Sequence, residues 1–139
     1  MTPFANARYR VLVVDDDPGV LLTYARLLER AGYECARVAE PGRVLRDLDQ
    51  HREADLILLD YKMPGMDGLT LLAELRRREV RSRCILMSAY LNDEVREQAR
   101  VLGVDRILDK PVDVATLRGA IVELLPVAGP LPRRAATGA

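Results

Sequence analysis

The chain has 139 residues, enough for one domain with a sizeable core and little beyond it. Its 21 Lys and Arg balance its 21 Asp and Glu, so the total charge offers no general attraction to nucleic acid or to a membrane surface. No apolar run approaches bilayer length, and Cys35 and Cys84, 49 positions apart among apolar neighbours, offer neither a disulfide framework nor a zinc site; a reducing cytoplasm is the expected setting. Of the basic residues 19 are Arg, and only Lys62 and Lys110 are Lys. A compact ammonium fits a tight anionic pocket where a planar guanidinium does not, so both lysines are candidates for such a pocket.

In chain order, residues 1–7 read as an extension, residues 8–125 as one domain and residues 126–139, rich in Pro, Gly and Ala, as a flexible tail or the start of a linker. Val11 to Val14, Leu56 to Leu59 and Cys84 to Met87 are short, nearly continuous apolar runs, the pattern of strands buried on both faces of a parallel sheet. Glu34 to Val38 and Arg106 to Leu108 are weaker strands. Between them run apolar residues at helical spacing: Val20, Leu21, Tyr24, Leu27 and Leu28, then Leu69, Leu72 and Leu75, then Leu117, Ala120, Ile121 and Leu124. Asp17, Asn92 or Asp93, and Asp113 stand where helices need N-caps, Pro18 suits a first helical position, and Gly32 and Gly103 suit helix ends. Five alternations of strand and helix predict an α/β, doubly wound (βα)5 sandwich of the flavodoxin-like kind, with a parallel five-stranded sheet in the order 2-1-3-4-5. Such a sheet holds its ligand beyond the carboxyl ends of the strands at the switch point, here the first and third.

Those ends are rich in chemistry. The first strand runs into Asp15, Asp16 and Asp17 and the third into Asp60, and converging carboxylates raise one another's pKa unless a cation lies between them. Oxygen ligands of this kind suit Mg2+ (or Mn2+). The fourth strand runs into Ser88-Ala89 and the fifth into Lys110-Pro111, adding a hydroxyl and a cation. Metal, ammonium and hydroxyl together suit a phosphoryl group, with Asp60 the best-placed nucleophile.

On these motifs the chain resembles the receiver domain of the two-component response regulators, and in particular the chemotaxis-type single-domain regulators. The resemblance runs from Arg8 to about Leu125 and rests on Val13 to Asp16, Leu58 to Asp60, Met63 to Gly68, Ser88-Ala89 and Lys110-Pro111, in family order. Separations of 44 residues from Asp16 to Asp60, 28 from Asp60 to Ser88 and 50 from Asp60 to Lys110 fit the family. The resemblance implies a phosphorelay role in a bacterial cytoplasm, in which Asp60 accepts a phosphoryl group from the phosphohistidine of a sensor kinase or a histidine phosphotransfer protein. It implies Asp15, Asp16, Asp60 and the Lys62 backbone carbonyl as metal ligands, Lys110 as partner of the phosphoryl group and Ser88 as the hydroxyl that swings inward. It further implies that small Ala89 leaves room for the group, that Pro64, Gly65 and Gly68 shape the loop, and that a cis peptide before Pro111 aims Lys110. The acyl phosphate would be temporary, and the output a changed surface read by a partner or effector, the chain catalysing only its own phosphorylation and dephosphorylation.

Two departures stand out. Ile107 occupies a position where the family has Tyr or Phe, so the ring that moves with the switch hydroxyl is missing and a homodimer through the fourth helix, fifth strand and fifth helix is less expected. Lys62 and Tyr90, two positions beyond Asp60 and Ser88, flank the path of an attacking water and are expected to lengthen the phosphorylated state. Lys62 is otherwise expected to be solvated at its tip. The arginines at 76, 77, 78, 81 and 83 read as a solvated helix end in preference to a nucleic-acid patch, and His51, in a polar stretch, has no catalytic role. The competing readings are a Mg2+-dependent phosphatase with an Asp nucleophile, as in the haloacid dehalogenase family, and a pseudo-receiver that never accepts phosphate. The first wants a second Asp where Lys62 stands, and the complete set Asp15, Asp16, Asp60, Ser88 and Lys110 speaks against the second.

Overall fold

The computed structural model describes residues 8–126. The expected tail therefore lies outside the described residues apart from Pro126, as does the N-terminal extension. Strands β1 (Arg10–Val14), β2 (Glu34–Val38), β3 (Leu56–Asp60), β4 (Arg83–Ser88) and β5 (Arg106–Asp109) form one sheet in the order β2-β1-β3-β4-β5, every neighbouring pair parallel. The helices are α1 (Pro18–Arg30), α2 (Pro41–Arg46), α3 (Leu48–His51), α4 (Gly68–Arg77), α5 (Asp93–Val101) and α6 (Val114–Leu124). Where five strand–helix alternations suggest five helices, the described residues form six, because Asp47 leaves helical geometry at φ −106°, ψ 35° and breaks the second helical segment into α2 and α3.

Strands β3 and β4 are buried almost end to end, and successive side chains feed two cores. Leu12, Val14, Ile57, Leu59 and Leu86 pack under α2 to α5, while Val11, Val13, Leu58, Ile85 and Met87 pack under α1 and α6. Edge strands β2 and β5 are half exposed, which is why their apolar signal is weak in the sequence. Caps fix where each crossover leaves the sheet: Asp17 accepts from the Gly19 and Val20 amides, Asp67 from Thr70, Asn92 from Val95 and Asp113 from Thr116. Gly32 and Gly103 take positive φ just after α1 and α5, as the sequence predicts.

One surface expectation is corrected. Arg76 is not part of a solvated helix end: its guanidinium donates to the Leu102, Val80 and Ser82 carbonyls and ties α4 to the segments that enter β4 and β5. His51, despite its polar neighbours, is buried on α3. Cys35 and Cys84 are free thiols. Among the described residues no helix is long and apolar enough to cross a membrane.

Candidate functional site

Parallel strands bring their carboxyl ends to one edge, so the loops after β1, β3, β4 and β5 meet there. Backbone pairing sets their heights: the Tyr61 amide donates to the Met87 carbonyl and the Lys110 amide to the Ser88 carbonyl, both at 2.9 Å. Asp15 and Asp60 are buried, Asp16 is exposed, and one carboxylate oxygen of each lies within 4.8 Å of the others. The Lys110 Nζ sits 2.7 Å from Asp60 Oδ1 and 3.6 Å from Asp15 Oδ2. The Lys110–Pro111 peptide is cis.

The electrostatics are those of a site short of positive charge. Burial pushes the Asp60 carboxyl above its ordinary value; the Lys110 hydrogen bond opposes this, and Asp15 and Asp16 add to it. Burial likewise raises Asp15, against its hydrogen bond from the Asp17 amide and the charge of Lys110. For Lys110 burial works downward, but the Asp60 hydrogen bond and the charges of Asp15 and Asp60 outweigh it and raise the ammonium. Asp15 Oδ2 is buried without a hydrogen-bond partner. A buried carboxylate oxygen that accepts no hydrogen bond and has only the longer ion pair to Lys110, beside two further carboxylates, fits a hard divalent cation.

The loop after β3 is built around two glycines. Gly65 takes φ +85° with nothing near its Cβ position, so it serves the turn. Gly68 opens α4 against the nucleophile's own backbone: its amide donates to the Tyr61 carbonyl at 2.7 Å, and a Cβ there would lie 2.3 Å from the Asp60 carbonyl oxygen. Pro64 is exposed on the same loop, and Ala89 is exposed just beyond β4.

Ser88 is buried, and its Oγ accepts from the Tyr90 amide at 2.8 Å. Lys62 is exposed, as expected, and its Nζ lies over the Tyr90 ring, 5.3 Å from the centroid. Ile107 packs against the core under α2 to α5 and takes no part in the acidic cluster. Sequence reasoning missed Tyr24. It counts there only as one residue of an apolar stripe, yet its half-buried phenol, raised by burial, feels the charges of Lys110, Asp15 and Asp60 from α1. An aromatic with a polar tip on a helix following the acid run is the signal that could have pointed to it.

The sequence matches the family model of the response regulator receiver domain over residues 11–122, and the chain belongs to that family. It is 30% identical over 118 residues to sporulation initiation phosphotransferase F of Bacillus subtilis, an alignment covering 85% of this chain and 94% of that protein. The response regulator receiver domain of Methanospirillum hungatei superposes with a TM-score of 0.77 at 30% identity, covering 84% of this chain and 93% of that one. The response regulator TrrA of Thermotoga maritima, solved in complex with Mg2+-BeF, superposes with a TM-score of 0.71 at 28% identity, covering 84% of this chain and 99% of that one. The chain is thus a receiver domain of two-component signalling, a family whose members work with histidine kinases or phosphotransfer proteins and with effectors, and which implies phosphorylation of an aspartate.

Proposed function

We propose that Asp60 is the phosphoacceptor, and the observation that carries this is the short Lys110 Nζ to Asp60 Oδ1 contact inside a cluster of three carboxylates. In the transfer, a carboxylate oxygen of Asp60 forms the new P–O bond as the P–N bond of the donor phosphohistidine breaks, the electron pair returning to the imidazole. Asp15, Asp16 and Asp60, with the Lys62 backbone carbonyl that the family resemblance adds, would hold Mg2+, or Mn2+ in its place. When bound, the ion neutralises charge on the transferring phosphoryl oxygens. Lys110 holds a second phosphoryl oxygen, and its neighbours Asp60 and Asp15 favour its ammonium form. Burial of Asp60 and Asp15 excludes bulk water from the nucleophile's side of the crevice.

Ser88 donates its hydroxyl to the phosphoryl group once it is in place, with Ala89 giving room beside it. Lys62 and Tyr90 flank the mouth, and the bulk of each side chain slows the approach of hydrolytic water, so the mark lasts longer. The chain catalyses only its own phosphorylation and dephosphorylation. Exposed Val101 on α5 and Val114 and Val122 on α6 support α5, β5 and α6 as the face offered to a partner or to a second copy. The free thiols Cys35 and Cys84 agree with a cytoplasmic setting.

Transfer from an autophosphorylated histidine kinase carrying labelled phosphate tests the reading. Label is expected to move to the wild-type chain in the presence of Mg2+ and to stay on the kinase with Asp60→Asn. Equal transfer to both would overturn the assignment of Asp60.

A further inference from the structure

The Ser88 hydroxyl is already engaged before any phosphoryl group arrives. Its Oγ accepts from the Tyr90 amide at 2.8 Å, a side-chain-to-backbone bond across two residues that holds the loop after β4 against the end of the strand. One residue further on, Leu91 packs into the core under α2 to α5 together with Leu102, Val104 and Ile107. The loop is therefore pinned at both ends, by Ser88 Oγ and by Leu91, and between the pins Ala89 and Tyr90 are exposed. The Tyr90 ring, 62% exposed, reaches across to the loop after β3, where Lys62 Nζ stands 5.3 Å from its centroid. That is within the range of a cation–π contact. One ring thus joins the loop that carries Asp60 to the loop that carries Ser88.

A change of staggered rotamer at Ser88 carries Oγ by roughly 2.3 Å. A hydroxyl turned toward Asp60 cannot also remain at hydrogen-bond distance from an amide it held at 2.8 Å. Ile107, aliphatic and packed, has no ring to bring in when Ser88 moves. Resting on the phosphoacceptor reading above, we propose that Tyr90 is the aromatic that reports the state of Asp60. Recruitment of Ser88 breaks its bond to the Tyr90 amide, the segment Ala89–Tyr90 swings about Leu91, and the ring leaves Lys62. The readout is a freed tyrosine and a freed lysine at the mouth of the crevice, on the loop before α5, while Ile107 remains static packing.

The chain has no Trp, so Tyr90→Trp in the full chain makes a single tryptophan emitter whose indole preserves the face over Lys62. Acrylamide quenching of this indole is followed during phosphorylation by phosphoramidate and Mg2+, with phosphoryl occupancy read on the same samples by intact mass. The quenching constant is expected to rise about 1.5-fold or more, in proportion to occupancy, as the ring leaves its cation. Ser88→Ala in the same background is expected to show the raised quenching before any phosphorylation and little further change after it. In the wild-type chain labelled with 15N-tyrosine, the Tyr90 amide, identified by its loss in Tyr90→Ala, is expected to lose exchange protection on phosphorylation. Full phosphoryl occupancy with unchanged indole quenching and unchanged Tyr90 amide protection would overturn the proposal and leave Asp60 as acceptor intact. Absence of any phosphoryl addition to wild type from either phosphoramidate or a kinase would overturn the underlying reading and this inference with it.

Discussion

Gly68→Ala tests whether the start of α4 positions the nucleophile. The added Cβ would stand 2.3 Å from the Asp60 carbonyl oxygen, 3.1 Å from Leu59 Cγ and 3.2 Å from the Asp60 carbonyl carbon, where ordinary contact begins at 3.4 Å. The first clash demands a shift of about 1.1 Å, and neither side yields cheaply. Asp60 ends a strand paired with β1 and β4, and α4 is fixed by buried Leu69, Leu71, Leu72 and Leu75. Overpacking of this kind costs about 1–3 kcal/mol. Moving a reacting carboxylate by about 1 Å costs on the order of 100-fold in rate. Urea unfolding together with the initial rate of phosphoryl incorporation from phosphoramidate measures both effects. Gly65→Ala is the control: its φ of +85° makes alanine strained, but nothing lies within 4 Å of the Cβ position, so about 1 kcal/mol of stability is lost with little change in rate. A Gly68→Ala protein with wild-type rate and stability, or one no slower than Gly65→Ala, would show that the start of α4 does not position Asp60.

Lys62→Asn combined with Tyr90→Ala is expected to shorten the acyl-phosphate lifetime several-fold, followed as loss of the phosphoryl mass after donor removal; an unchanged lifetime defeats the role given to that pair. Raising Mg2+ to about 100 times its dissociation constant is expected to stabilise the chain by ~2.7 kcal/mol. Asp16→Asn, at an exposed member of the cluster, should fold normally and lose most of that gain, and a full gain in the variant would remove Asp16 from the ligand set. Burial holds the His51 imidazole below its ordinary 6.5, with Asp47 opposing. The unfolded chain therefore binds more protons around pH 6.5, and stability falls as pH drops from neutral through 6.5 toward the lower folded value. Asp15 and Asp60, raised in the fold, act in the opposite sense as pH falls further, so the comparison is between wild type and His51→Gln, whose stability should lack the loss near pH 6.5. Identical pH profiles would show that His51 is not held neutral.

The central strands and the candidate site were legible because each rests on local information. Leu56 to Leu59 and Cys84 to Met87 read as buried strands since no polar residue interrupts them, and Asp15, Asp16, Asp60, Ser88 and Lys110 follow directly as the residues at strand ends. Caps at Asp17 and Asp113 were equally local. What escaped depends on tertiary neighbours. The break at Asp47 is a backbone turn that no residue type announces, and His51 is buried because α3 lies against the sheet, whatever its own neighbours in sequence. Arg76 looked like one of a run of solvated arginines until the fold set three backbone carbonyls around it. Lys62 and Tyr90 were singled out separately from their spacing, but their contact spans two loops 28 residues apart and belongs to the fold. Tyr24 joins the site only because α1 packs back on β1 and β2 and so brings its phenol near Asp15, Asp60 and Lys110, an arrangement that its helical stripe does not encode.

The most direct test of the central claim is intact-protein mass spectrometry after incubation with acetyl phosphate or phosphoramidate, with and without Mg2+, on wild type and Asp60→Asn. One hydroxylamine-labile phosphoryl addition to wild type that requires both Mg2+ and Asp60 is expected. A stable addition, or one that persists in Asp60→Asn, would contradict it.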